Sequence, residues 1–256
     1  MRECIFCQGR ASTKEDVWPQ WLTKRFPLSD ISFMEAELAG HKLDTWRSKT
    51  AKLLRVRCVC ENCNGGWMSQ LEGQVKPVIE SILDDRMKTV DVSSQALIAT
   101  WAVKTAITLE AIKPQNKWFY TNDQRRELRM VSAIPERTSV WIAKCVNQAN
   151  LYSAAKDLLT THGQNEVYAY VTTMAFGSFA VQVASIKPHM NLPKGTAITF
   201  DVSGEPWEKV LIQVWPMPKL HWWPPITGLA GDLGIEALTN RLSRSGINII
   251  SPAAQT

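Results

Sequence analysis

Long hydrophobic runs are missing from this sequence, and their absence removes whole classes of protein. Nothing approaches the roughly eighteen consecutive apolar residues that a membrane-spanning helix needs. The opening Met1-Arg2-Glu3-Cys4 has no apolar core of a signal peptide, so the expected location is the cytoplasm, away from any membrane. Histidine is scarce, and the four that occur, at 41, 162, 189 and 221, have no metal-ligand spacing. There is no internal repeat, no glycine-rich phosphate loop and no nucleophile elbow, and Ser/His/Asp hydrolysis has no local signature. Global disorder is excluded by what is present: 256 residues, 45% hydrophobic, with eleven tryptophans, enough for one large or two moderate cores.

Four of the six cysteines fall in two pairs, Cys4-x-x-Cys7 and Cys60-x-x-Cys63. Each CxxC forms a tight knuckle that sets two thiolates on one edge of an ion, and two knuckles complete a closed tetrahedral zinc site. In a reducing compartment this pattern favours a metal over disulfides. The expected zinc therefore clamps both ends of the long insertion from residue 8 to residue 59. Gly9 is the residue expected to turn left-handed at the first knuckle. Cys58, two residues before the second knuckle, is a competing ligand if a strand points both thiols to one face. Otherwise Cys58, like Cys145, reads as a free thiol.

The net charge of +5 is mild, and its distribution is more informative. Arg47, Lys49, Lys52, Arg55 and Arg57 follow one another without an intervening acid and lead directly into the second knuckle. Such a run is either a solvated face or a set of phosphate contacts for nucleic acid, each adding salt-dependent affinity.

Along the chain, Ser12 or Thr13 can cap a helix with Glu15 and Asp16 in its first turn, and Pro19 can open a short helix carrying Trp21 and Leu22. Residues 26–51 read as a loop with short strands. Leu54, Val56 and Cys58 alternate with Arg55 and Arg57, the pattern of a half-buried strand with a positive outer face. Asn64-Gly65-Gly66 signals a turn, and a helix opens at Trp67. Knuckle, loop, strand, knuckle and helix is the order of a treble-clef zinc module.

Beyond residue 75 no further knuckle occurs, and a second domain is expected over 76–256. Lys76 to Leu83 suits a short helix. Ser93 and Ser94 cap the longest helical pattern, whose apolar positions from Leu97 to Ile112 wrap most of the way round and predict a buried helix. After Pro135 the pattern turns to strands at 139–146, 167–173, 179–184, 197–202 and 210–215, with a short helix over 154–161 and an amphipathic one over 234–244. The fold class expected is α+β: a treble-clef ββα-metal module, then an antiparallel sheet with packed helices. The adjacent Trp222 and Trp223 beside Pro224 can pack in the core, stack on bases, or line a contact between copies.

Residues 4–72 resemble the HNH nuclease family in its zinc-stapled, four-cysteine form. Cys4-Ile5-Phe6-Cys7, Glu15-Asp16-Val17-Trp18-Pro19, Cys60-Glu61-Asn62-Cys63-Asn64 and Trp67-Met68-Ser69-Gln70-Leu71-Glu72 carry the likeness. They are similar to a branch of HNH-like proteins of bacteria and phages with Glu-His-Val-x-Pro-x-Trp-Leu and Cys-Asn-Asn-Gly-Trp-Met-Ser-x-Leu-Glu signatures. The resemblance implies a ββα unit holding one divalent cation at a scissile phosphate. It places Glu15 on a metal-binding acid, Asn64 on the family's orienting Asn and Glu72 near the final ligand. Asp16 falls on the general-base histidine, where this chain departs from the pattern.

Aspartate is a far weaker base than imidazole at neutral pH but a good ligand for a hard cation. Glu15, Asp16 and Glu72 would then form an all-oxygen site for Mg²⁺ or Mn²⁺, which lowers the pKa of its own water. His41, inside the insertion, is an alternative base. Each residue also has a plain structural role: a first-turn acid pair for Glu15 and Asp16, a turn or cap for Asn64, an exposed helix acid for Glu72. Two functions stand side by side, a metal-dependent nuclease and a non-catalytic zinc module that binds nucleic acid or protein. In the nuclease reading the C-terminal domain selects substrate or assembles an oligomer; in a third reading that domain carries the function and the zinc module only supports it.

Overall fold

A strand pair joined across the insertion starts the architecture. The computed structural model describes residues 2–26, 32–38, 41–48, 55–162, 165–188, 197–201, 206–216, 219–244 and 246–250, with the backbone alone over 32–48. The first quarter runs β1 (Thr13–Asp16), α1 (Gln20–Arg25), β2 (Ser32–Leu38), β3 (His41–Ser48) and β4 (Arg55–Val59). β1 pairs antiparallel with β4, Asp16 opposite Arg55 and Thr13 opposite Val59, with a register shift between Thr13 and Glu15. The helix expected to begin at Ser12 or Thr13 is therefore a strand. Its Glu15 and Asp16 cannot serve as first-turn acids, because the ladder to β4 takes their backbone groups. Pro19 does open α1 as the sequence predicts, and β2 and β3 form an antiparallel hairpin inside the insertion.

A wide helical turn over Cys63–Met68 leads into α2 (Ser69–Leu83). This single helix replaces the two expected on either side of Lys76. Val75, Ile79 and Ile82 are fully buried on one face and hold the helix through Pro77, whose ring lies on the exposed side. The domain boundary expected after residue 75 falls inside α2.

Next come β5 (Thr89–Val90), α3 (Val92–Glu110), α4 (Asn122–Val131), β6 (Thr138–His162), β7 (Asn165–Pro188), β8 (Ala197–Asp201), β9 (Leu211–Trp215), β10 (His221–Trp222), α5 (Gly231–Asn240) and β11 (Gly246–Ile250). The cap of α3 is Asp91, whose carboxylate accepts from the Ser94 N–H at 2.7 Å, in place of the serines expected there. All ten residues from Trp101 to Glu110 are buried, as the wrapped apolar pattern predicts. β7, β6 and β9 form an antiparallel sheet in that order, and α3 packs on all three strands.

Residues 154–161, expected as a helix, belong to β6 and pair with 166–173 of β7. Alanine-rich sequence leans towards helix, but an unbroken ladder to β7 along this stretch outweighs that weak preference. The ribbon changes register between Lys144 and Tyr152, where Gly177 faces Ala149 with φ +55°. Beyond the bend, Leu158 and Val167 meet Trp141 and Ile186 in one cluster with Ile198 and Phe200 of β8. The main apolar cluster joins Phe6, Trp18 and Leu22 to Trp101, Phe176 and Phe179, so the first quarter shares its core with the helices and sheet behind it.

Candidate metal centre and cleft

Two backbone turns bring four sulfurs together. In the first, Cys4 N–H donates to Gly9 O at 2.6 Å and Gln8 N–H to Cys4 O at 2.9 Å. The left-handed residue here is Gln8, at φ +61°, and not Gly9. In the second, Asn64 N–H donates to Cys60 O at 3.0 Å as the chain enters the helical turn. The Sγ atoms of Cys4, Cys7, Cys60 and Cys63 all lie within 4.8 Å of one another, with Cys7 and Cys60 3.5 Å apart. Burial pushes the Cys7 and Cys63 thiols above their ordinary range, whereas burial at Cys60 is outweighed by hydrogen bonds from the Cys63 backbone and the neighbouring sulfurs, which hold it below; an ion that takes thiolates must displace the protons that remain. Soft, closely gathered thiolates fit zinc, which takes four such ligands in a closed structural site. Phe6 and Trp67 cover this corner edge to face, 4.9 Å between centroids.

Cys58 does not join the cluster. The chain leaves its strand at Val59, so Cys58 and Cys60 do not share a face. The Cys58 backbone oxygen instead accepts from Ile5 N–H at 2.9 Å, while burial pushes its thiol up to about 12.

The second knuckle is tied to the strand pair by hydrogen bonds. Asn64 Nδ2 donates to Thr13 Oγ1 at 3.3 Å, and Thr13 Oγ1 donates to Val59 O at 3.1 Å. On β4, Val56 and Cys58 are buried while Arg55 and Arg57 are exposed, the predicted positive outer face. Arg55 is not free on that face: Nε binds Asp16 Oδ1, and Nη2 donates to Asp16 Oδ2 at 3.3 Å. Of the other basic candidates, Arg47 lies on β3 with its side chain outside the described atoms, and Lys49 and Lys52 fall outside the described residues. The side chain of His41 is likewise outside them.

Between β1, α1 and the start of α2 lies an open cleft of about 350 Å³, lined among others by Lys14, Glu15, Asp16, Trp21, Asn64 and Glu72. Every residue placed by resemblance on a chemical role thus faces one space. Their carboxylates do not gather as the cysteines do: among the described residues, the four sulfurs are the cluster of metal-ligand type. Each acid has a cationic partner instead. Asp16 has Arg55, and Lys104 Nζ of α3 sits 2.7 Å from Glu72 Oε1 and 3.6 Å from Glu15 Oε1.

Lys104 is the residue at these carboxylates that sequence reading misses. Its side chain is 1% exposed. Burial alone would push its pKa down, but Glu72 and Glu15 outweigh that and hold it above the ordinary lysine value. Burial pushes the Glu15 carboxyl up to about 7, with Lys104 opposing the rise and Glu72 adding to it. The signal was available: a lysine within an otherwise apolar helix must find an acid, because an unpaired buried ammonium is too costly.

The tryptophan pair divides its roles. Trp223 is buried against Phe179 at 6.1 Å, and Trp222 is 78% exposed. No helix among the described residues is long and apolar enough to cross a membrane. Compared with family models, curated proteins and solved structures, the chain matches none of them. Fold and site define a mixed helix-and-sheet protein whose N-terminal four-cysteine cluster could hold a metal ion.

Proposed function

We propose that the chain is a nuclease of the HNH kind, hydrolysing phosphodiester bonds of nucleic acid at the cleft beside the four-cysteine centre, with DNA as the first substrate to test. The observation that carries this reading is the meeting of Glu15, Asp16, Asn64 and Glu72, from three segments of the chain, on the walls of one cleft. The order of knuckle, strand pair, knuckle and helix around gathered sulfurs supports a treble clef with a ββα arrangement. Lys14 on the cleft and the exposed Arg57 offer charge to a phosphate backbone, and Arg47, Lys49 and Lys52 extend that proposed contact, while Arg55 is held by Asp16. A thiolate centre suits a reducing, cytoplasmic setting. The helices and sheet behind the cleft would select substrate or join copies.

Glu15, Asp16 and Glu72 are oxygen donors of the kind Mg²⁺ or Mn²⁺ takes, and Glu72 and Asp16 remain partly open to solvent. When bound, such a cation polarises a phosphate and acidifies water. The chain's own groups set the geometry. Asn64 pins the turn after the second knuckle to β1, Arg55 fixes the Asp16 carboxylate, and Lys104 fixes that of Glu72.

A second reading has its own support. The pairing of Asp16 with Arg55, and of Glu15 and Glu72 with the single ammonium of Lys104, ties every acid of the cleft to a cation of the chain itself, which suits a zinc-stapled module that binds nucleic acid without cutting it. Incubating the protein with plasmid and single-stranded DNA in Mg²⁺ or Mn²⁺, beside Glu72→Ala and Asp16→Ala, decides between them. Cleavage lost in both variants supports the nuclease. Cleavage untouched by either substitution removes this site, and binding without cleavage establishes the second reading.

A further inference from the structure

Glu15 and Glu72 line the cleft, and their carboxylates share an ammonium delivered by a different part of the fold. Lys104 lies in the stretch of α3 whose residues are all buried, so its stem has no route to solvent and its charge is held where Glu72 and Glu15 meet. No other basic group touches Glu72 or Glu15 among the described ion pairs, and Asp16 is served separately by Arg55.

We propose that Lys104 is the positioning residue of the cleft, a built-in cation that competes with a divalent ion for Glu15 and Glu72 and so makes the ion bind weakly until phosphate arrives with it. This rests on the nuclease reading for the use of the ion, although the competition itself is a property of the three side chains. With both acids ionised, the trio carries one net negative charge, too little to hold a hard dication against its hydration. A phosphodiester adds a further negative charge and oxygen ligands, which is how Mg²⁺ is commonly held, by one or two carboxylates and the substrate's own phosphate. Removing the ammonium leaves Glu72 without its counter-charge and takes away the charge that opposes the rise of the Glu15 carboxyl, so a proton on Glu15 and a divalent ion compete for the vacated place. Above the pH at which Glu15 gives up that proton, the divalent ion is the replacement.

The experiment is a Mn²⁺ titration of zinc-saturated protein without nucleic acid, followed by the electron spin resonance of free Mn²⁺. Lys104→Met should bind Mn²⁺ at least about tenfold more tightly than the parent. Lys104→Arg, which keeps the charge, should stay near the parent, and Lys104→Met combined with Glu72→Gln should lose the gain. Lys104→Gln, neutral but still able to donate to Glu72, makes the same comparison should the methionine variant lose its zinc or its cooperative melting. Equal Mn²⁺ affinity in parent and neutral variants, all folded and zinc-loaded, overturns the proposal. DNA cleavage by the parent is scored separately. Cleavage with no gain in Mn²⁺ affinity refutes the role of Lys104 and leaves the nuclease standing, whereas a gain without any cleavage upholds Lys104 and removes the nuclease.

Discussion

The indole of Trp18 stands edge-on to the ring of Phe176, with centroids 5.6 Å apart, and this contact joins the four-cysteine end of the chain to β7. Trp18 is 1% exposed although it lies between the two knuckles in sequence. Trp101 of α3 approaches the same phenylalanine from another side, at 6.1 Å. A unit that buries its tryptophan in another unit's core is not independent of it. Trp18→Ala in the full chain should therefore cost roughly 3 to 5 kcal/mol in urea unfolding, as for other large core truncations. A fragment of residues 1–75 should bind zinc without cooperative melting, because Trp18 and Leu22 lose their cover and Glu72 loses its partner Lys104. A sharp melting transition in that fragment would contradict the shared core.

Four sulfurs within 4.8 Å make a second expectation concrete: elemental analysis should find one zinc ion per chain, and Cys60→Ser should lower its retention. The release of protons on binding means that zinc affinity falls as pH drops. Stripping the ion with a chelator should lower the melting temperature and change tryptophan fluorescence through Trp67, which packs on Phe6 between the two cysteines of the first knuckle. Unchanged melting after complete stripping would show that the sulfurs are no staple.

Glu15 gives a pH dependence whose sign is opposite to that of an ordinary salt-bridged acid. Burial raises its carboxyl from 4.5 to about 7, so the folded chain holds this proton more tightly than the unfolded chain does. The stabilisation is fully present below pH 4.5 and is lost as pH rises through 7. The shift corresponds to roughly 3 kcal/mol. The difference in unfolding free energy between the parent and Glu15→Gln should move by about that amount across the window, with the parent losing ground as pH rises. Zinc contributes equally to both chains and cancels. A flat difference would place the Glu15 titration near that of an exposed carboxylate.

Gly177 tests the bend in the long ribbon. Its φ of +55° is strained for any side chain, and an added Cβ would stand 2.7 Å from Phe26 Cζ and 3.0 Å from Leu83 Cδ2. Gly177→Ala should destabilise the chain by about 1 to 3 kcal/mol, and a β-branched residue by more. Urea midpoints at constant slope check this, and an unchanged midpoint would mean the bend has room to open.

How much of this was legible beforehand depended on the distance over which the signal acts. The knuckles, the alternation at Val56 and Cys58, the proline that opens α1 and the wrapped apolar pattern of α3 are local, and each was visible in a few residues. What failed was decided by partners far along the chain. Residues 13–16 became a strand because Arg55 to Val59 lie beside them, and residues 154–161 because β7 does. The meeting of Glu15, Asp16, Asn64 and Glu72 in one cleft came through resemblance rather than pattern. Lys104 was hidden because a charge inside an apolar helix announces that it needs a partner but not which one.

The pairing of Asp16 with Arg55 bears directly on the missing base. Asp16→His restores the residue type found at this position in the resembling signature, yet the imidazole would then face the guanidinium that now holds the aspartate. That neighbour disfavours protonated imidazole and has lost its acceptor, so it would no longer fix the side chain at position 16. Asp16→His alone should therefore yield little DNA cleavage in Mg²⁺. Asp16→His with Arg55→Ala, which clears the opposing charge, should yield more, by tenfold or so if the imidazole acts as a general base. Both variants should keep their zinc, since neither residue touches the four sulfurs. Equal cleavage by the single and double variants would show that Arg55 does not restrain this position, and cleavage by neither would favour the binding module.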